Sequence, residues 1–541
     1  MADLTETETI ADGGSRLDAI VVGGGISGLH QLWELRERGF DVRLLEAGSG
    51  LGGVWFWNRY PGARFDSESY TYGYFFSQEI VDEWSWTEEY ASQPETEAYL
   101  NFVADRLDLR RHVQLNARVV SAHWHEEETA WVVTLESGEV LRTRFLVTAL
   151  GILSKPAFPK VPGLEDFQGE WHHTGLWPDR DVDVAGKRVA VIGTGSSGVQ
   201  IIPLLAKEAE SLTVFQRSPN WCTPINNFPI DDVRMADIRE RIEEIYQTTQ
   251  RTPGGGIHGP KPESSLEMTD EQRRAVWDEL YEAPGMAFVM GNFRDISVNR
   301  EANANVTAYL AEKIRGRVND PAIADLLIPT DHGFGQKRPP LENGYFETYN
   351  EPNVSLVSTI DEPLVRYTAT GVETSARHYE FDLVVIATGF EAVTGSYNTI
   401  DIRGVDGETL VDHWIDGPRS YLGLQVSGFP NLFMVGGPQS SSGIIPRLTE
   451  TQSTWVAACL AHLRDLGLTR IATTETAEDE WNEHVNSGIV GTLQEDAESW
   501  AFGSNVEGRR RAYLLYAGGQ PQYRERIAEA AEAGYKGFDL G

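Results

Sequence analysis

The chain has 541 residues, 41% apolar and 23% charged, an ordinary globular mix that excludes wholesale disorder and fibrous repeats. Its length allows about three to four domains and several buried cores. Lys and Arg total 46 against 81 Asp and Glu, a net charge of −35, so the surface repels nucleic acid and anionic lipid and any anionic ligand needs a local basic pocket.

Two cysteines, Cys222 and Cys459, lie far apart and outside any CxxC, which argues against a disulfide framework, a structural zinc site and a dithiol redox centre. The twelve histidines are scattered without metal-ligand spacing, so no metal is expected. No apolar run approaches the ~18 residues of a spanning helix, and no secretory signal is evident at the N-terminus. The expectation is a cytoplasmic protein with neither a nucleic-acid nor a membrane partner.

In chain order, residues 1–16 are polar and acidic and read as a loose tail. Ala19, Ile20, Val21 and Val22 form a short apolar strand running into Gly23-Gly24-Gly25-Ile26-Ser27-Gly28. Leu29, Leu32, Trp33 and Leu35 then recur at helical spacing, Gly39 is the C-terminal stop, and residues 42–46 make a second strand. This is one βαβ unit. Residues 52–66 mix glycines, aromatics and charges with no clean period. Residues 145–151 read as a strand ending at Gly151.

The opening pattern returns at residues 188–192, which lead into Gly193-Thr194-Gly195-Ser196-Ser197-Gly198, an apolar helix to Leu205 and a strand ending at Arg217. From about 225 to 332 the character is helical. Residues 232–247 and the stretch after a Thr269/Gln272 capping box predict amphipathic helices, separated by Gly254-Gly255-Gly256. Strand-like runs at 383–389 and 431–435 restore the α/β pattern, and the runs ending at Gly151 and Gly389 suit crossings between two nested domains.

Each GxGxxG follows a strand and opens a helix, the context in which glycines let backbone approach a pyrophosphate at a helix N-terminus. Glu46 closes the first unit, where a carboxylate accepts the ribose hydroxyls of FAD or NAD. Arg217 closes the second, where a guanidinium suits the 2′-phosphate of NADP. A solvated strand-end arginine is the competing reading. The fold class expected is α/β, two nested Rossmann-like dinucleotide-binding domains with a helical insertion. Residues 17–152 and 389–541 form the FAD-binding domain, 153–224 and 333–388 the NADP-binding domain, and 225–332 the insertion. Two dinucleotides in one chain with no CxxC suggest an NADPH-dependent flavoprotein that passes electrons to O2 or a small molecule.

Residues 167–179 carry Phe167, Gly169, His173, Trp177 and Pro178 in the order FxGxxxHxxxWP, and residues 52–66 read GGxWxxxRYPGxxxD. With both patterns beside two GxGxxG turns, the chain resembles the type I Baeyer–Villiger monooxygenases over nearly its whole length. It looks most like the cyclohexanone, phenylacetone and steroid monooxygenases. The resemblance implies that NADPH reduces FAD, and that O2 adds to give a flavin C4a-peroxide. That peroxide attacks a ketone, and the Criegee adduct rearranges to an ester or lactone. Because the peroxide must stay deprotonated, a permanent cation beside it is the physical requirement.

By the resemblance Arg338, in Lys337-Arg338-Pro339, is that cation and Asp66 holds it. Lys337 joins Arg217 on the 2′-phosphate, and Trp500, in a mobile C-terminal loop, closes over NADP. Gly23, Gly25, Ser27, Gly28, Glu46, Gly53, Val54, Trp55, Asp66, Tyr72 and Val119 belong to the FAD site. Gly193, Thr194, Gly195, Ser196, Ser197, Gly198 and Gln200 belong to the NADP site, alongside Arg217, Lys337, Arg338 and Trp500. Glu507-Gly508-Arg509-Arg510 departs from the family's Pro-Gly-Lys pattern, which leaves the loop's behaviour open. Small residues at 436–443 suggest a pocket widened for bulky ketones, or a neutral change; Phe288, Met290 and Phe293 line the site or belong to the core. The partners expected are a small-molecule ketone, O2 and NADPH. A heteroatom-oxidising flavin monooxygenase and a catalytically silent redox sensor are the alternatives.

Overall fold

The computed structural model describes residues 16–504 and 510–541. Most of the expected N-terminal tail, and Asn505 to Arg509 of the C-terminal loop, lie outside these.

Two parallel-dominated sheets organise the chain. The first holds β1 (Leu17–Val22), β2 (Val42–Leu45), β3 (Val113–Gln114), β4 (Val119–His125), β5 (Ala130–Leu135) and β6 (Val140–Thr148). The second begins with β7 (Glu170–His173), β8 (Arg188–Ile192) and β9 (Ser211–Gln216). A short pair follows, β10 (Thr223–Pro224) with β11 (Leu341–Glu342), and then β12 (Val354–Ser358). A meander of β13 (Leu364–Thr368), β14 (Gly371–Thr374) and β15 (His378–Glu380) precedes β16 (Leu383–Ile386), and β17 (Asp401–Arg403) and β18 (Leu432–Met434) rejoin the first sheet.

The first sheet runs β17-β4-β5-β6-β1-β2-β3, with β18 also on β6; the second runs β12-β9-β8-β16-β7, parallel throughout. The strands that run into a GxGxxG are internal: β8 is the middle strand of the second sheet, and β1 lies between β6 and β2 in the first. Central strands such as β1, β8 and β16 are apolar on successive residues because both faces are buried, in the second sheet by the β13–β15 meander on one side, so no alternation is needed. In register, Val22 pairs with Thr148 and Ile192 with Ile386, which sets each glycine turn beside the end of the neighbouring strand.

The chain leaves the first sheet after β6 and returns after β16, and the two crossings touch. Ala157 N donates to Gly389 O at 2.9 Å, Glu391 N donates to Lys155 O at 2.9 Å, and Thr388 Oγ1 donates to Ala157 O. Between β10 and β11 the predicted helical insertion is present, with helices Asp232–Glu240, Ile242–Arg251, Asp270–Glu282 and Arg300–Arg317 among others. The stretch expected as one helix from 232 is two, divided at Arg241. The Thr269/Gln272 capping box forms in both directions. Parallel pairing of Thr223 with Leu341 sets the insertion's exit beside its return. Among the described residues, no helix is long and apolar enough to cross a membrane.

Candidate active site

Both glycine turns have one construction. A Cβ on Gly28 would collide with the carbonyl oxygen of Gly23, and one on Gly198 with that of Gly193, so helix and strand pack more closely than any side chain allows. The helices they open, Ile26–Glu37 and Ser196–Leu205, have glycine N-caps with no side-chain bond and no acid in the first turn. The helices at Asp232, Asp270 and Glu475 are instead capped by Asp231, Thr269 and Thr474. Uncapped first-turn N–H groups at a positive helix end, beside a close backbone turn, fit a pyrophosphate.

Glu46, just beyond β2, is buried, and its two oxygens accept from Gly24 N and Gly48 N at 2.6 Å each. Burial pushes its pKa up, and those two N–H groups oppose the shift. Each oxygen keeps a lone pair for a ribose hydroxyl. Val119, the first residue of β4, is buried in the same sheet.

Arg217 follows β9 and is exposed, with no ion pair to a described residue. An open cation at this position fits a 2′-phosphate. Lys337 is instead engaged, its Nζ 2.8 Å from Asp331 Oδ2.

Residues 52–66 wrap the first glycine turn. Trp55 Nε1 donates to Tyr72 Oη at 3.0 Å, and Tyr72 stacks on Phe65 with ring centres 4.3 Å apart. Gly53 and Val54 open the short helix Val54–Trp57, whose N-cap glycine lies against Gly25. The result is an aromatic wall beside the first helix N-terminus, in which Trp55 stands edge-on to Phe65 and Tyr72 at 87° and 86°.

At the end of this segment Asp66 meets Arg338. Arg338 Nη2 donates to Asp66 Oδ2 at 2.6 Å, while Nη1 lies 3.5 Å from Ser196 Oγ at the start of the second helix. Asp66 is buried and its Oδ1 has no hydrogen-bond partner among the described residues; the Arg338 side chain is 44% exposed. Tyr60 Oη donates to Gln200 Oε1 at 2.6 Å, and Gln200 Nε2 donates to Arg64 O at 3.0 Å, so the Gln200 amide is engaged by protein. Burial pushes the Tyr60 phenol up to about 12; the Ser197 hydroxyl and the Arg338 guanidinium oppose that shift and Asp66 adds to it. The sequence thus brings Asp66, Arg338, Ser196, Ser197, Gln200 and the Gly193–Gly198 turn together, with Thr194 buried beneath.

The two long motifs touch. Arg59 Nη1 is 2.5 Å from Asp179 Oδ1, directly after Trp177 and Pro178. Phe167 and Trp177 are buried in the cores on either side of the second sheet, and a Cβ on Gly169 would strike the Phe167 ring. His173 is fully buried; its Nδ1 accepts from Gly175 N at 3.0 Å. Burial lowers its pKa to about 4, against the Ala157 and Gly389 carbonyls of the two crossings, so the ring is neutral.

Other expected residues sit differently. Trp500, in the turn Trp500–Phe502, packs against Ala392, Val393 and Leu514. Phe288 and Phe293 are core. Of the small residues at 436–443, Gly443 faces the insertion. The space of a Cβ on Gly254 is filled by Met290, on Gly255 by Gln520 and on Gly256 by Ile444, while Gly443 lies against the Gly254 backbone. Small residues there let two loops close together. Sequence reasoning missed Tyr60 as a link to Gln200, and Asn220, whose Nδ2 donates to Arg338 O at 2.9 Å. Tyr60 stands in the aromatic motif and was open to discovery; nothing in the sequence marks Asn220.

Residues 20–258 match the pyridine nucleotide-disulphide oxidoreductase family. The 2-oxo-Δ3-4,5,5-trimethylcyclopentenylacetyl-CoA monooxygenase of Pseudomonas putida is 41% identical over 97% of this chain and 98% of its own length. The acetone monooxygenase (methyl acetate-forming) of Gordonia sp. strain TY-5 is 40% identical, with 97% and 99% covered. The chain belongs to the Baeyer–Villiger monooxygenase family. A crystal structure of OTEMO in complex with FAD and NADP superposes with a TM-score of 0.94 at 41% identity, covering 97% of this chain and 99% of that one. Another relative, the phenazine N-monooxygenase PhzNO1 of Lysobacter antibioticus, is 41% identical with 97% of each chain covered. The chain has two Rossmann-type domains in a mixed α/β fold.

Proposed function

We propose that this chain uses NADPH and O2 to convert ketones to esters, or cyclic ketones to lactones, through bound FAD. The Arg338–Asp66 pair, set between the aromatic wall and the second glycine turn, is the observation that carries this reading. Residues 17–152 and 389–541, built on the first sheet, would hold FAD through the Gly23–Gly28 turn, Glu46 and the aromatic wall. Residues 153–224 and 333–388, on the second, would hold NADP through Gly193–Gly198 and Arg217, with 225–332 as the insertion.

When bound, FAD reduced by NADPH supplies the electrons that activate O2. The chain's own residues supply the rest. A guanidinium keeps its proton at any physiological pH, so Arg338 holds a fixed positive charge against an anionic oxygen and keeps that oxygen nucleophilic. Its N–H groups not directed at Asp66 are donors for the oxygen of a ketone as negative charge gathers there. Asp66, held in the protein, orients the cation. Trp55, Phe65 and Tyr72 exclude water, which strengthens each of these interactions.

Purified yellow protein, NADPH, air and a ketone panel, with products identified by mass, test the reading. Ester or lactone formed with near-stoichiometric NADPH consumption supports it. A second reading, oxidation of a ring nitrogen, is favoured by the similarity to the phenazine N-monooxygenase. Turnover of N-heteroarenes but of no ketone would select it, and no turnover at all would point to a redox sensor.

A further inference from the structure

Lys337 and Arg338 are neighbours in sequence with opposite engagements. Arg338 reaches Asp66, whereas Lys337 Nζ sits 2.8 Å from Asp331 Oδ2 at the other end of the same turn. The other oxygen of Asp331 is 2.6 Å from Nδ1 of the buried His332. Burial pushes the Asp331 carboxyl up, and Lys337 and His332 more than reverse this, holding it below its usual range. His332 is fixed in turn, since Trp221 Nε1 donates to its carbonyl at 3.0 Å and its Nε2 lies 3.4 Å from Asn220 Oδ1. Asn220 closes the ring on the Arg338 carbonyl.

Of the two cations read as the 2′-phosphate site, then, Arg217 is open and Lys337 is taken by an internal carboxylate. An ammonium with three donors does not need that carboxylate in order to meet a phosphate. It must leave it.

We propose that Asp331 is a resident competitor for Lys337, so that 2′-phosphate binding is an exchange of one anion for another and Asp331 sets how tightly the phosphorylated nucleotide is held. This rests on reading the second glycine turn as the NADP site. Asp331 is a positioning residue, acting through Lys337. Its side chain is 48% exposed, so the pair has the modest strength of an exposed one.

The test is calorimetric titration of the FAD-loaded protein with 2′,5′-ADP and with 5′-AMP, which differ in the 2′-phosphate. Asp331→Asn is expected to tighten 2′,5′-ADP by about threefold to fivefold and leave 5′-AMP unchanged, with Asp331→Ser moving in the same direction. In a Lys337→Met background, Asp331→Asn should give no gain, because no pair remains to be broken. Unchanged or weaker 2′,5′-ADP binding in Asp331→Asn overturns the proposal, as does a gain that survives Lys337→Met. If Arg217→Ala and Lys337→Met each leave 2′,5′-ADP binding intact, the site assignment itself fails, and the proposal with it.

Discussion

Asp66 Oδ2 and Arg338 Nη2 lie 2.6 Å apart although 272 residues separate them. A buried carboxylate aligns a partly exposed guanidinium without discharging it. Asp66→Asn keeps the shape and removes the anchoring charge. Ketone oxidation should fall by about tenfold to a hundredfold, as expected for a slightly misplaced catalytic group, while NADPH still reduces the flavin. Product per NADPH in single-turnover experiments checks this; an undiminished yield contradicts the positioning role.

The cofactor preference is expected to rest on the open cation at the end of β9. Arg217→Ala should raise the KM for NADPH by about tenfold to a hundredfold, equivalent to roughly 1.5–3 kcal/mol of charged hydrogen bonding, and leave that for NADH nearly unchanged. Steady-state kinetics with both nucleotides decides it. A preference for NADPH that survives the substitution removes the basis for this assignment.

Gly28 packs where only glycine fits. Gly28→Ala drives a methyl into the Gly23 carbonyl oxygen, a backbone atom that cannot swing aside. Overpacking of this kind costs about 1–3 kcal/mol, and the displaced helix start should no longer hold FAD. Colourless purified protein with a lowered denaturation midpoint is the expected result. A yellow variant of normal stability would show that the turn tolerates a side chain.

His173 makes stability depend on acid. Its usual pKa of 6.5 falls to about 4 in the folded chain, mainly because burial disfavours the charged ring. As pH drops from 6.5 towards 4, the unfolded chain takes up a proton that the folded ring refuses, so the folded state loses up to about 3 kcal/mol. Above 6.5 the ring contributes no pH dependence. Denaturant titrations at several pH values should show His173→Gln with a flatter acid limb than wild type; parallel limbs would mean that His173 is not the titrating group.

The two βαβ units were legible because glycine turns and buried strands are local signals, and the Thr269 capping box is written in four consecutive residues. Arg338 and Asp66 were reachable only through long motifs, since nothing local tells that residues of two loops far apart in the chain will meet. The pairing of Lys337 with Asp331 was invisible for a related reason: both are ordinary charged residues of one turn, and only the folded turn decides which anion the lysine faces. The small residues at 436–443 left a widened pocket and a neutral change equally open, and in the folded protein Gly443 lies against the Gly254 backbone. The single helix expected across 232–247 failed at Arg241, where the backbone turns out of helical geometry between two shorter helices.

The most direct measurement is rapid mixing of Arg338→Ala, first with NADPH alone and then with O2 and ketone. Loss of flavin colour with NADPH should persist, and ester or lactone should be absent. An ester yield and rate equal to wild type would contradict the role given to this cation.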